Sequence, residues 1–193
     1  MITFTKIASY ELRPKDRNVF EYLTDVASQV VDPPPLEPGG LSLAADIVFH
    51  STLRRATESI RRLPAVEYIP RVELKEVVFD MRTFCNEATW SREGSVAVRR
   101  GFKAAFIADT LSVPRTQLFE EIRSVLLDAK DTCQRGRVVV VSHSFRLKLI
   151  EAYLRTQGRV VSNPELIHEY INDSGKTYSF EEGFEIDESE MTV

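Results

Sequence analysis

The sequence predicts a three-layer α/β/α fold with a mainly parallel sheet. The main observation is the run of four valines from Val138 to Val141. The run is too short for a membrane span, and β-branched residues favour strands over helices, so it indicates a buried strand. Apolar residues from Phe145 to Leu154 then follow the spacing of one helical face. A fully apolar strand that leads into an amphipathic helix is typical of a parallel sheet buried on both faces.

Length and composition fit a single globular domain. The chain has 193 residues, of which 43% are hydrophobic and 28% are charged. A net charge of −4 argues against a general nucleic-acid binder. Cys85 and Cys133 are far apart, which favours a reducing compartment without a disulfide framework. The N-terminus lacks a signal-peptide pattern and no stretch of about 20 apolar residues is present. We therefore expect a cytoplasmic protein that does not bind membranes.

Hydrophobic periodicity and turn residues predict the elements of the N-terminal half. The first strand is expected at Ile2–Ile7. A helix capped by Asp16 should extend through Val30 and stop at three consecutive prolines, 33–35. The predicted elements that follow are a strand at Ala45–His50, a helix at Ser51–Ile60 capped by Ser51 or Thr52, and a strand at Val66–Leu74.

The C-terminal half is less regular. Residues 80 to about 117 are interpreted as a helical excursion above the sheet, where substrate contacts could lie. An amphipathic helix is expected from Leu118 to Ala129, before the valine strand. The further predictions are short strands at 159–161 and Ile167–Ile171, a turn at Asn172–Gly175, a hairpin arm at Lys176–Phe180 and an acidic C-terminal tail.

The ends of the predicted strands supply the first candidate site residues. In parallel sheets, ligands bind beyond the carboxyl ends of the strands. His143 follows the valine strand there, beside a helix N-terminus that favours anions. Arg54 and Arg55 lie in the first turns of another such helix, where a guanidinium can reach a bound oxyanion. A core or capping histidine and a solvated basic helix are the structural alternatives.

Other candidates carry weaker signals. Glu76 lies among Val77, Val78 and Phe79, and a carboxyl group in apolar surroundings can serve as a general acid. On the helical excursion, the candidates for substrate contacts are Arg82, Arg99 and Arg100.

Three segments now occur in an informative order: 51–59 (Ser-Thr-Leu-Arg-Arg-Ala-Thr-Glu-Ser), 74–76 (Leu-Lys-Glu) and 141–143 (Val-Ser-His). Over roughly residues 1–155 the chain resembles the histidine phosphatase superfamily, the phosphoglycerate-mutase-like proteins. The resemblance implies that architecture for the whole chain, 1–193. It also implies that Arg55 binds phosphate, that Glu76 donates a proton and that His143 contacts the transferred phosphoryl group.

The first strand departs from this family. Its members end that strand with Arg-His-Gly, and the histidine accepts the phosphoryl group. The matching residues here are Lys6, Ile7 and Ala8. Ile7 has no nucleophilic atom, Lys6 keeps only a positive charge, and Ala8 adds a Cβ where glycine allows close approach. His50 and Ser9 are the other possible nucleophiles, but the sequence shows no support for an in-line attack by His50 and no activating base for Ser9. In the segment around His143, Ser144 replaces the glycine of the family.

The resemblance therefore implies a divergent, catalytically impaired member of the superfamily. We expect it to bind phosphate, a phosphorylated small molecule or a protein partner through Lys6, Arg55 and His143, with Glu76 beside them. No metal or cofactor is implied. One alternative is an active phosphomonoesterase in which water attacks directly, with His143 and Glu76 catalytic. Another is a protein-interaction module that keeps only the fold and uses the proline loop or a basic surface.

Overall fold

The computed structural model describes residues 2–6, 18–35, 44–61 and 63–171, and the backbone of 179–182. Its sheet has the strand order β3-β2-β4-β1-β5. Strands β1 to β4 run parallel to one another, and β5 runs antiparallel to β1 at one edge. The strands are β1 (Ile2–Lys6), β2 (Ile47–Ser51), β3 (Glu67–Arg71), β4 (Val138–Ser142) and β5 (Ser179–Glu182).

Helices connect the parallel strands. They are α1 (Val19–Ala27), α2 (Arg54–Ile60), α3 (Glu87–Glu93), α4 (Ser95–Ile107), α5 (Arg115–Thr132) and α6 (Ser144–Arg155). Short 3₁₀ segments occupy Val72–Leu74, Met81–Thr83 and Pro164–Glu169. The predicted α/β class with a mainly parallel sheet is therefore confirmed.

Helices pack on both faces of the sheet. All four valines of β4 are buried, and successive side chains of a strand point to opposite faces. Val138 and Val140 join the larger core with residues of α1, α4, α5 and α6. Val139 and Val141 join a smaller core under α2. This division explains the continuous apolar run and gives the three layers.

Helix α1 differs from its predicted bounds at both ends. Its N-cap is Asn18, whose side-chain oxygen accepts the N–H groups of Phe20 at 2.8 Å and Glu21 at 3.2 Å. The helix ends well before the prolines, where Gln29 takes a positive φ of 58°. Val30 is therefore 74% exposed instead of lying on the buried face.

Two predicted strands near the C-terminus are wrong. Residues 159–161 form a turn, and Ile167 lies in the 3₁₀ segment. Val160, Ile167 and Ile171 are buried, but they do not alternate with exposed residues as strand residues would. Residues 172–178 and 183–193, with the predicted turn and acidic tail, lie outside the described residues. Of the predicted hairpin arm, Ser179 and Phe180 belong to β5 and pair with β1.

Residues 80–117 are mostly helical, and an aromatic cluster holds them against the start of α6. The rings of Phe102 on α4 and Phe145 on α6 stack with centroids 4.0 Å apart. Phe79 meets both rings edge-on. This packing places α4 next to the end of the sheet where the predicted site lies. Among the described helices, none has both the length and the hydropathy needed to cross a bilayer.

Candidate functional site

The carboxyl ends of three adjacent strands bring the predicted site residues together. Lys6 ends β1 and lies opposite Ser142, the last residue of β4. His143 follows at once, and Ser51 ends the neighbouring strand β2. The parallel order β2-β4-β1 therefore collects residues that are 45 to 137 positions apart in the chain at one edge of the sheet.

His143 is buried and hydrogen-bonded at this edge. Its Nε2 lies 2.9 Å from the hydroxyl oxygen of Ser51, which has no exposed surface. The residue is the N-cap of α6 and has an extended backbone. Burial lowers its pKa well below the usual value, and the positive charges of Arg55, Arg146 and Lys6 lower it further. His143 is therefore neutral near pH 7, with cations on several sides.

Arg55 is also buried, and its charge is met by a carboxylate from within the chain. Its Nη1 donates to Oδ1 of Asp32 at 2.8 Å. The other oxygen of Asp32 accepts the backbone N–H of Arg54, the first residue of α2. The Arg54 side chain instead pairs with Glu58 on the exposed side of the helix. Of the two arginines, Arg55 is the one whose positive charge lowers the pKa of His143.

The predicted caps of α2 have other roles. The N-cap position belongs to Leu53, which provides no side-chain hydrogen bond to the helix. Ser51 accepts the N–H of Leu53 at 3.2 Å and holds His143, while Thr52 is exposed. Asp32 therefore supplies the side-chain bond at the start of α2, from a segment 22 residues earlier.

Glu76 caps the helix that follows His143. Its carboxylate accepts the backbone N–H of Arg146 at 3.0 Å, that of Phe145 at 3.3 Å and that of Val77 at 3.1 Å. Both oxygens are thus engaged at the N-terminus of α6, where a negative charge is stabilised. The predicted proton donor is close to His143 in the fold, but it is held as a hydrogen-bond acceptor.

Arg146 is a buried cation that sequence reasoning missed. Its Nε donates to the carbonyl of Lys75 at 3.0 Å, and its Nη2 pairs with Glu121 at 3.1 Å. Its Nη1 is buried without a hydrogen-bond partner. Ser51 and Asp32 were likewise missed as partners of His143 and Arg55. These contacts join residues 23 to 92 positions apart, so no local spacing could have revealed them.

The remaining candidates lie around or outside this cluster. His50 is buried, and its Nδ1 is bonded to the carbonyl of Ser51 at 2.9 Å. Arg82 is exposed, and Arg100 pairs with Glu93. Arg99 donates a hydrogen bond to Ser95 on α4. Burial lowers the pKa of Lys148, and the positive charges of Arg99 and Lys6 lower it further. The predicted nucleophile position, Ile7, lies outside the described residues, as do Ala8 and Ser9.

Within the described ranges, no group of three or more metal-ligating side chains is present. No family model matches the chain, and no curated protein matches it either. Its function must therefore be inferred from the residues of the site.

Proposed function

We propose that this chain is a divergent, histidine-phosphatase-like protein that binds a phosphate-bearing ligand without forming a phosphohistidine. One observation carries the proposal. His143 is buried and neutral at the carboxyl ends of adjacent parallel strands, and the positive charges of Arg55 and Lys6 are close enough to lower its pKa. This is the edge at which ligands bind in open α/β sheets. The cationic groups favour an oxyanion as the ligand. The resemblance of the sequence segments to those of histidine phosphatases favours a phosphate among the oxyanions.

The site favours anion binding because the charge of Arg55 is buried. The side chain of Arg55 is only 4% exposed, so its interaction with an anion is less screened than at the surface. A planar guanidinium also matches the oxygens of a phosphate group in bidentate fashion. An anion beside His143 would favour its protonated form and so gain a further charged donor.

The same contacts disfavour catalysis. Glu76 uses both oxygens to accept backbone N–H groups, so protonating a leaving group would require it to give up part of this cap. The hydroxyl oxygen of Ser51 already accepts the N–H of Leu53 and lies 2.9 Å from Nε2 of His143, so its hydrogen bonds are used within the chain. At the position where the family has its nucleophilic histidine, the sequence has Ile7.

Asp32 competes with the proposed ligand. Its carboxylate already accepts from Arg55, in the way that a phosphate oxygen would. A ligand must displace this carboxylate or share the guanidinium with it, so simple oxyanions should bind weakly. Asp32→Asn should therefore strengthen oxyanion binding several-fold, because the amide carries no charge. If Asp32 served only to orient Arg55, the same change would weaken binding.

The test is a sulfate titration followed by amide NMR shifts at constant ionic strength. We expect saturable shifts near Arg55 and His143 in the parent, tighter binding in Asp32→Asn and weaker binding in Arg55→Lys. Glu58→Gln is the matched control, since Glu58 pairs with Arg54 on the exposed side of the same helix. The absence of site-specific shifts at high sulfate would refute the anion site.

A second measurement separates binding from phosphoryl transfer. After incubation with a reactive phosphoryl donor, intact mass at neutral pH should show no added phosphate. A generic aryl phosphate should likewise not be turned over. Turnover lost in His143→Gln would instead favour the phosphomonoesterase alternative, with water as the nucleophile. A phosphorylated histidine would contradict the proposed lack of a phosphoenzyme.

A further inference from the structure

The outermost parallel strand exposes a row of apolar side chains. In and around β3, five residues at alternate positions are apolar and exposed: Pro64, Val66, Tyr68, Pro70 and Val72. Val66 is 88% exposed, Val72 58% and Tyr68 40%. We call this row the β3 face. Isolated exposed apolar residues are normal, but a contiguous row on an edge strand marks an interaction surface.

The register of the sheet explains why this row is exposed. Tyr68 pairs with Val48 of β2, and register partners in parallel strands point to the same face. Val48 is fully buried in the smaller core with Ala56 and Ile60 of α2. The β3 face therefore lies on the same side of the sheet as α2. It is one strand further out than Val48, so α2 does not cover it. The hydroxyl of Tyr68 donates to the carbonyl of Leu63, which fixes the ring at the edge.

The outer backbone groups of β3 can pair with another strand. Glu67 donates its N–H to the carbonyl of Asp46 at 3.1 Å, so Glu67, Ile69 and Arg71 direct their backbone groups toward β2. Tyr68 and Pro70 consequently direct theirs outward. The missing N–H of Pro70 thus costs the sheet no hydrogen bond. Within the part of the chain that the structure describes, the N–H of Tyr68 and the carbonyl of Pro70 remain as an outward donor and acceptor.

We propose that a second copy of this chain pairs with β3, antiparallel across a twofold axis at Ile69. Tyr68 then lies opposite the partner's Pro70, and its N–H donates to that carbonyl; symmetry repeats the bond. The apolar row becomes self-complementary, since Val66, just before the strand, then lies near the partner's Val72, which begins the 3₁₀ segment just after it. Such an isologous arrangement, with the same surface on both copies, is the commonest in homodimers.

Charge selects this register. On the opposite face of the strand, pairing about Ile69 places Glu67 opposite the partner's Arg71, an attractive cross-strand pair. An axis at Pro70 would instead bring Glu67 to the end of the partner's strand, next to Glu73 of the 3₁₀ segment, which is repulsive. An axis at Tyr68 would place Glu67 opposite an isoleucine and remove the opposite-charge pair. Among registers that use the outward backbone groups, the axis at Ile69 gives the best charge match.

The neighbouring side chains fit the same orientation. Arg135 pairs with Glu67 at 2.6 Å, and its side chain is 62% exposed. At the other end of β3, Arg71 is held by two carboxylates, Glu73 and Asp128. Antiparallel pairing brings the Glu67 end of β3, with the exposed guanidinium of Arg135, against the Arg71 end of the partner's strand. That end carries two carboxylates for one guanidinium, so it has an excess negative charge. This charge complementarity is the reason to assign the β3 face to a second copy.

The first experiment measures mass by sedimentation. The parent should associate to twice the 22.0 kDa of one chain. Val66→Glu should weaken the association by about tenfold or more, because it buries a carboxylate among the apolar side chains of the β3 face. Val30→Glu is the matched control, since Val30 is an equally apolar residue that is 74% exposed outside the β3 face. A parent that stays at 22.0 kDa at high concentration would overturn the proposal.

The second experiment tests the axis itself. Ile69→Cys places two thiols opposite each other, so it should form an intermolecular disulfide rapidly under mild oxidation. In Val66→Cys the two thiols would be six positions apart along the ladder, about 20 Å, and should cross-link only slowly. The oxidised parent controls for Cys85 and Cys133. A dimer in which Ile69→Cys cross-links no faster than Val66→Cys would rule out this register. Neither experiment depends on the proposed anion site.

Discussion

The proposed anion site and the β3 face lie on the same sheet but differ in how their side chains are paired. At the site, the polar groups of His143, Arg55 and Glu76 are each hydrogen-bonded to another part of the chain. At the β3 face, Val66 and Tyr68 stay exposed in the single chain. A ligand at the site must therefore exchange an internal contact for its own, whereas a partner at the β3 face covers apolar surface that is already exposed to water.

This difference separates affinity from stability. Buried polar groups that have found partners contribute to the fold, and removing one partner leaves the other uncompensated. Changes at the site should consequently alter the free energy of unfolding as well as ligand binding. Changes at the exposed β3 face should alter association and leave the unfolding of the single chain almost unchanged.

The largest expected effect is from Arg55→Ala. It leaves Asp32 facing α2 without its cation, so we expect a loss of about 2–4 kcal/mol in the free energy of unfolding. The residue is therefore not a ligand contact that can be removed without affecting the fold. Urea unfolding of the single variants and of Asp32→Ala/Arg55→Ala measures the coupling. If the double variant costs the sum of the single variants, the two side chains do not stabilise each other.

Glu76→Gln should come next, at about 1–2 kcal/mol. A glutamine side chain has one oxygen, so it cannot accept all the N–H groups that the carboxylate accepts at the start of α6. Urea unfolding is again the measurement. Glu58→Gln should leave the midpoint unchanged, because Glu58 pairs with a solvent-exposed arginine. Equal effects of the two changes would refute the capping role of Glu76.

The sequence was most informative where the determining interactions are local or periodic. Four valines can be buried on both faces only in a covered strand, and the apolar spacing of α5 fixes the helical face that it buries. The end of α1 was predicted wrongly because the sequence shows the prolines as a stop signal. No residue type marks the positive φ of Gln29, where the chain leaves the helix. Ordinary residues such as Gln29 end helices when tertiary packing favours it.

The site could be predicted only in part. The strand ends and the resemblance in sequence predicted that Lys6, Arg55, His143 and Glu76 would lie close together at one edge of the sheet. The identity of their internal partners was not predictable. Asp32 looks like part of a proline loop, and Ser51 looks like a helix cap, because their true contacts come from distant segments. Whether the edge binds a ligand therefore depends on interactions that no local pattern encodes.

The pH dependence of stability should reveal the buried, neutral state of His143. The folded pKa lies below the value near 6.5 of the unfolded chain. As pH falls below about 6.5, the unfolded state takes up a proton that the folded state does not bind, so stability decreases. The slope is at most about 1.4 kcal/mol per pH unit for one such group. His143→Gln should lose less stability than the parent between pH 7 and pH 5.5. Parallel curves would contradict a depressed pKa.

The smallest expected effect couples this proton to the ligand. Sulfate keeps its charge between pH 5.5 and pH 7.5, so any pH dependence of its binding comes from the protein. If the anion lies beside His143, binding favours the protonated imidazole, and affinity should rise about threefold toward the acidic end, or about 0.7 kcal/mol. His143→Gln should bind sulfate with a flatter pH profile. Val66→Glu should retain the parent's profile, because the β3 face and the site are separate surfaces. NMR titrations at several pH values measure all three proteins. Identical profiles in the parent and His143→Gln would show that His143 does not contact the bound anion, even if sulfate binds near Arg55.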